Sequence, residues 1–279
     1  MHTLASLVLL LLWLMVSAAH GAAPDSRYVQ SVHVSLMDWT DLSIIAGGAD
    51  LITADEQDMS RRSVIAQRKA RLNALKNIYD SLGQINLDSS TSIGQALEMD
   101  PSAARDFSAM VKQAAVHERV RTAGRSHLAE VFVILDFRDE QTRVFMPELL
   151  FAPVLAADPG EGTAAVPGSC QVFIDAADSG VSPAIIPSIL DEQGNILFRA
   201  SILGSGKRSA SSTVSYMRRS LEGDGFKTIS PQGQTLWIRS TGYSGKLGTD
   251  VMLEGEVAER FRRVVSSARD GCSVTIILK

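Results

Sequence analysis

Apolar residues recur along this chain at two spacings, which together predict a mixture of helices and strands. Between Ser60 and Leu82 they return every three or four positions, which predicts an amphipathic helix ended by Gly83. Arginine and lysine occupy the other positions, so that side is expected to face solvent. The residues expected in the core are Val64, Ile65, Leu72, Leu75, Ile78, Tyr79 and Leu82.

A second helix is predicted to begin where Asp100 precedes Pro101, since aspartate caps helices and proline suits their first position. Its apolar side would carry Phe107, Met110, Val111 and Ala114.

Alternation and β-branched residues predict strands at 28–36, 116–122 and 129–137. The segment DWTDLSIIAGGAD, residues 38–50, is expected to be a loop that turns at Gly47 and Gly48. Residues 27–145 are therefore predicted to form one α+β domain.

Four prolines between residues 146 and 169 mark a linker or long surface loop, rich in proline and glycine. The chain beyond it alternates apolar runs with turns. The predicted fold class is α+β, with an N-terminal helix-on-sheet domain followed by a mostly β C-terminal domain, residues 170–279, with one late helix. Strands are expected at 172–176, 184–190, 195–203, 235–241 and 273–278, and the helix at 254–268.

The N-terminus has the pattern of a signal peptide, predicted at residues 1–21. Leu4 to Val16 is an apolar run of about 13 residues, too short to span a bilayer comfortably, and small residues follow it. Cleavage is expected after Gly21, Ala22 or Ala23, and an uncleaved anchor is the alternative. The expected location is therefore the periplasm; peripheral attachment to the outer membrane is an option that only the family resemblance given below implies. No integral membrane span is expected after cleavage.

Net charge bears on the class of partner, and the two cysteines bear on a disulfide. The formal charge is −4 with signs mixed along the chain, so a nucleic-acid partner is not expected. Export permits a disulfide between Cys170 and Cys272, which would close a loop of about 100 residues. Two buried free thiols are the alternative.

The sequence contains no convincing motif for catalysis, a cofactor or a metal. Residues 201–209, SILGSGKRS, lack the first glycine and the hydroxyl residue of a phosphate loop. Residues 242–246, GYSGK, lack the last glycine of a nucleophile elbow. His33, His117 and His127 are scattered rather than spaced as metal ligands. No catalytic, cofactor-binding or metal-binding residue is therefore assigned.

The stretch QVFIDAADSGVSPAIIPSILDEQGNILF, residues 171–198, concentrates four acids: Asp175, Asp178, Asp191 and Glu192. Asp175 and Asp178 are three residues apart at a strand end, where they would not share one face. Asp191 to Asn195 has the composition of a hairpin turn. Structural roles are expected for these acids rather than paired acid–base chemistry.

The same stretch resembles a signature of exported bacterial proteins of the flagellar assembly protein P type, which are outer-membrane-associated and often lipoproteins. The segments AQRKARLNALKNIYDSLGQINLDSST, GTDVMLEGEVAERF and CSVTIIL extend the resemblance over most of the chain. Two departures are the missing lipid-attachment cysteine and Ala177, which stands where relatives carry arginine. The signature residues expected to be structural are Asp175, Gly180, Pro183, Pro187, Asp191, Glu192 and Gly194.

The resemblance implies a non-enzymatic periplasmic structural or assembly protein of the cell envelope, associated in one branch with the flagellar basal body. A homo-oligomer, or partners from the envelope or flagellum, would follow. The alternatives are a periplasmic ligand-binding module that uses a groove between the two domains, and a hydrolase that uses Asp175 and Asp191.

Overall fold

The computed structural model describes residues 26–52, 59–123, 126–139, 170–200, 214–219, 234–267 and 272–279. The predicted signal peptide, the predicted linker at 146–169 and the segment 201–209 lie outside these ranges. Within them, no helix combines the length and apolar character needed to cross a membrane.

The described residues form four helices and 13 strands, which confirms the predicted α+β class. The C-terminal region is mostly β with one late helix, as predicted. The helices are α1 (Met59–Leu82), α2 (Ile93–Met99), α3 (Pro101–Lys112) and α4 (Gly255–Ser267). The strands are β1 (Val29–Val32), β2 (Ser35–Asp38), β3 (Ser43–Ile52), β4 (Ala115–Ala123), β5 (Ser126–Asp136), β6 (Cys170–Asp175), β7 (Ser188–Leu190), β8 (Ile196–Arg199), β9 (Val214–Arg218), β10 (Gln234–Arg239), β11 (Gly242–Ser244), β12 (Asp250–Met252) and β13 (Cys272–Leu278).

The first sheet is five-stranded and antiparallel, in the order β1-β2-β3-β5-β4, and α1 packs on β3 and β5. The expectation of a loop turning at Gly47 and Gly48 is wrong, because both glycines lie inside β3. A Cβ on Gly48 would lie 2.1 Å from the carbonyl oxygen of Ala70 and 2.5 Å from the amide nitrogen of Ala74. Glycine is present here because the helix backbone approaches the strand closely.

The buried side of α1 agrees with the prediction at Ile78 and Leu82 and differs from it at other positions. Ala66, Ala70 and Ala74 are buried against the sheet, together with Ile78 and Leu82. Small alanine side chains let the helix approach β3, and Gly48 does the same from the strand. The expectation was wrong for four large residues that lie exposed on the opposite side: Val64, Ile65, Leu72 and Tyr79.

Two helix starts follow local rules of capping. Asp100 caps α3, accepting hydrogen bonds from the amides of Ser102 and Ala103, and Pro101 is at the first helical position, as predicted. Helix α2 was not predicted, although Ser92 and Gln95 form a capping box at its start.

The C-terminal region contains two further sheets of four strands each. The first of these sheets has the strand order β10-β6-β13-β9. All of its neighbouring strands are parallel, and β13 lies between β6 and β9. The second has the order β11-β12-β7-β8. Residues 184–187 were expected to begin a strand, but only 188–190 are extended in a sheet, and 184–187 form a docked loop.

Cys170 and Cys272 form a disulfide that joins two neighbouring parallel strands. The two residues face each other in the register of β6 and β13, and their Cα atoms are 4.4 Å apart. The bridge closes a separation of 102 residues and ties β13 to the start of the C-terminal region.

Buried residues from the two regions form one continuous hydrophobic cluster. It extends from Met37 and Trp39 in the first region to Tyr216, Ile276 and Phe261 in the second. The division into domains at residues 27–145 and 170–279 stays a prediction. Buried apolar side chains of the two regions pack against each other.

Candidate functional site

Asp191 closes the hairpin between β7 and β8. Its carboxylate accepts hydrogen bonds from the amides of Gln193 (3.0 Å) and Asn195 (2.8 Å) and from the Asn195 side chain (2.9 Å). Arg262 of α4 lies 3.3 Å from the same carboxylate. Gly194 has a φ of 82°, a left-handed conformation that favours glycine. Glu192 is exposed and accepts a hydrogen bond from the Gln193 side chain.

These contacts determine the ionisation of Asp191. The hydrogen bond from the Asn195 side chain, with further contributions from the turn amides and Arg262, holds the pKa of Asp191 below its usual value. Asp191 is therefore a stable anion in the turn and is poorly suited to act as a general acid near neutral pH.

The loop between β6 and β7, residues 176–187, is attached to the rest of the protein by backbone hydrogen bonds. The Tyr216 hydroxyl, on β9, donates to the Ala184 carbonyl oxygen at 2.9 Å and accepts from the Ala184 amide at 3.0 Å. Tyr216 is fully buried, and burial raises the pKa of its hydroxyl, which therefore stays protonated and able to donate.

The same loop also pairs with the connection between α1 and α2. The amides of Ile185 and Ile186 donate to the carbonyls of Asn86 and Leu87 at 3.0 and 2.8 Å. The Asn86 side chain donates in turn to the carbonyl of Pro183 at 3.1 Å. This part of the signature therefore joins the N-terminal and C-terminal regions.

Tyr216 also contacts the first sheet directly. Its ring meets Trp39 edge to face at a centroid distance of 5.6 Å. Thr40 Oγ1 donates to the Tyr216 carbonyl at 2.7 Å. Neither Trp39 nor Tyr216 was singled out from the sequence. The alternation of Val214 and Tyr216 with polar Ser215 was the available signal of a half-buried strand.

Asp175 and Asp178 lie at the carboxyl edge of the parallel sheet beside two arginines. Arg219 donates to Asp178 at 2.8 Å and lies 3.7 Å from Asp175, and Arg239 also lies 3.7 Å from Asp175. The hydrogen bond to Asp178 raises the pKa of Arg219. Arg219 therefore joins Asp175 and Asp178 in one cluster. The sequence alone did not show that the two acids share this partner.

The position of this cluster is typical of ligand sites, but its members are already paired. Carboxyl ends of parallel strands are where open α/β sheets bind ligands. Asp175 lies opposite two guanidinium groups from other strands, while Ala177, at the position where arginine was expected from the resemblance, is buried. The cluster has the components of an ion-pair network rather than of an acid–base pair.

The remaining signature residues are structural in their contacts. Gly180, with a φ of 75°, lies under the ring of Tyr243. The carbonyl of Pro187 accepts a hydrogen bond from the Ala200 amide at 3.0 Å. Asp250 accepts from the Ser188 amide at 2.9 Å, which fixes the start of β7.

The three histidines do not join the acids of the signature. His33 lies in the turn between β1 and β2, His117 in β4 and His127 in β5, all within the first sheet. No group of three or more metal-ligating side chains occurs in the described part of the chain.

A cavity of about 340 Å³ lies between α1 and α3, within the first region. It is lined by Leu72, Leu75, Lys76, Tyr79, Asp80, Ser108, Val111 and Lys112. It is therefore not the groove between the two regions that a ligand-binding module was expected to use.

Residues 171–279 match the family model described as Treponema pallidum Tp0624, second domain. This range begins at the signature stretch and includes the disulfide partner Cys272 and the ion cluster at the sheet edge. No curated protein matches the chain significantly. The C-terminal region is thus similar to a domain of a bacterial protein.

Proposed function

We propose that this chain is a non-enzymatic structural or assembly protein of the bacterial cell envelope, located in the periplasm. The observation that carries the proposal is the use of the signature stretch: Asp191 holds a turn, and Asp175 and Asp178 pair with arginines. The backbone of Ala184 to Ile186 joins two regions of the protein. Acids engaged in this way support a scaffold more than a hydrolase.

The similarity of residues 171–279 to a bacterial domain supports the bacterial origin in this proposal. The signal-peptide pattern at residues 1–21 supports export. A place at the flagellar basal body is a narrower proposal, supported by the resemblance of the signature to the flagellar assembly protein P type.

Light scattering and cross-linking of the exported protein test the assembly role. The expected result is an oligomer, or a complex with other envelope proteins, that sediments with the envelope fraction. A strict monomer that is recovered free of envelope proteins after cross-linking would contradict the proposal.

Deletion of the gene in the source bacterium tests the flagellar proposal separately. Loss of swimming that returns on complementation is the expected result. Normal swimming in a deletion strain with a damaged envelope would limit the role to the envelope.

A further inference from the structure

Helix α1 has an exposed apolar face, which we call the outer stripe: Val64, Ile65, Leu72 and Tyr79. These side chains are 48%, 45%, 68% and 40% exposed. Ile65, Leu72 and Tyr79 are seven residues apart, so they lie along one side of the helix over about 21 Å. The opposite side, with Ala70 and Ala74, is already buried on the sheet.

The outer stripe is surrounded by positive charge. Helix α1 contains six basic residues and one acidic residue, although the whole chain is acidic. In helical projection, Arg61 and Arg68 lie within the stripe, Arg71 lies on one side, and Lys69 and Lys76 lie on the other. No carboxylate in the described ranges forms an ion pair with Arg61, Arg68 or Arg71, whereas Lys69 is 3.8 Å from Asp50 and Lys76 is 3.9 Å from Asp80.

Helix α3 continues this surface on one side. Leu72, Leu75 and Tyr79 line the cavity against Val111, and Lys112 stands at its edge with Lys76. The surface therefore combines a line of apolar side chains, a shallow apolar recess and cations on both flanks.

A second copy of the chain fits this surface poorly. Two α1 helices packed face to face would bring together the five cations at each stripe, ten in all, against four acids, the two copies of Asp50 and Asp80, at a cost that grows as water is excluded. An acidic helix of a partner protein would need carboxylates placed opposite Arg61 and Arg68. A lipid surface needs no such register, because mobile phosphate groups move to the cations.

We propose that the outer stripe and its cations bind the surface of an anionic phospholipid membrane. Apolar side chains enter the boundary between headgroups and acyl chains, and the arginine and lysine ends reach the phosphates. Tyr79 suits this boundary because its ring is apolar and its hydroxyl is polar. The inference deepens the proposed envelope role and rests on it only for access to a membrane.

Vesicle sedimentation tests the inference. The exported full chain is mixed with vesicles of phosphatidylcholine alone or with vesicles of phosphatidylcholine and the anionic lipid phosphatidylglycerol. Binding is expected only with phosphatidylglycerol and is expected to weaken as salt is raised. Equal binding to both vesicles, or to neither, overturns the proposal.

Matched variants locate the binding surface. Each removed cation is expected to weaken binding about fivefold, so Arg68→Gln with Arg71→Gln loses about 25-fold. Ile65→Ser with Leu72→Ser is expected to lose at least about tenfold. The controls are Arg260→Gln with Arg263→Gln on α4, and Leu51→Ser with Ile196→Ser, all at exposed positions.

All variants share one N-terminus, so any binding by residues 1–21 is common to them. The altered positions are exposed, and unchanged circular dichroism will check that each variant folds. Equal losses in the test and control pairs would overturn the assignment to α1. If the outer-stripe variants changed the size of the oligomer but not vesicle binding, the stripe would be a protein contact, and the lipid proposal would be overturned.

Failure of this inference is distinguishable from failure of the proposed function. A protein that assembles and sediments with the envelope, yet ignores phosphatidylglycerol, keeps the assembly role and loses the lipid surface. A protein that binds these vesicles but is a strict monomer without envelope partners keeps the lipid surface and loses the assembly role.

Discussion

The hydroxyl of Tyr216 forms two hydrogen bonds with one residue, Ala184, donating to its carbonyl and accepting from its amide. This pair joins β9 to the loop of the signature stretch inside the core. The same tyrosine contacts Trp39, in the turn between β2 and β3, so a single side chain connects three parts of the protein.

Replacing Tyr216 with phenylalanine is expected to lower the free energy of unfolding by about 1–3 kcal/mol, since buried backbone groups of Ala184 lose their partner. Urea denaturation followed by fluorescence measures this change. Tyr243→Phe is the control, because Tyr243 is exposed, and a change within about 0.5 kcal/mol is expected there. Equal effects at both positions would contradict the role given to Tyr216.

Gly48→Ala is expected to destabilise the protein by about 1–3 kcal/mol or more, because the added Cβ meets helix backbone at 2.1 Å and neither element moves cheaply. Thermal unfolding with matched samples is the measurement. Gly242→Ala provides the comparison, since a Cβ there meets nothing within 4 Å. A Gly48→Ala protein as stable as the parent would show that α1 does not lie this close to β3.

Stability is expected to fall in acid partly through Asp191. Its pKa is lowered on folding, so its contribution is complete above the unfolded value near 3.9 and is lost as pH falls through the lower folded value. Denaturation curves from pH 6 to pH 2 measure this loss. Asp191→Asn is expected to make the free energy of unfolding fall less steeply with decreasing pH. Glu192→Gln, at an exposed position of the same turn, should show the same pH dependence as the parent protein.

Reduction of the disulfide is expected to cost up to about 4–5 kcal/mol in the chain-entropy model, because a separation of 102 residues is released. Guanidinium denaturation with and without dithiothreitol measures it. The double variant Cys170→Ala, Cys272→Ala should be insensitive to reductant. A parent protein equally insensitive would show that the thiols are free in solution.

Local signals predicted several elements well. The Asp100–Pro101 start of α3, the strand ending near Phe137 and the turn at Asp191 each depend on contacts within a few residues, which sequence patterns record. The α+β class followed from these elements. The cluster around Asp175 could not be found in this way, because Arg219 and Arg239 reach it from strands that are distant in sequence.

Four of the seven residues expected on the core side of α1 were assigned wrongly, for a physical reason. Large apolar residues normally identify the core side of a helix, but Gly48 of β3 lies so close to the helix backbone that alanine is the residue facing it, at positions 70 and 74. The choice between the two faces therefore depends on a strand some 20 residues earlier in the chain. Recognising Gly48 as a packing position would have placed Ala70 and Ala74 on the core side of the helix.

The position of β13 has a consequence for the order in which the strands of the parallel sheet can pair. Residues 272–278 pair with β6 on one side and β9 on the other. Both of these strands are synthesised before β13, so neither can complete its pairing until β13 is present. Until that segment is available, β6 and β9 each present an unpaired edge to other chains. A nascent chain that ends before Cys272 should therefore be a preferred client of chaperones and proteases.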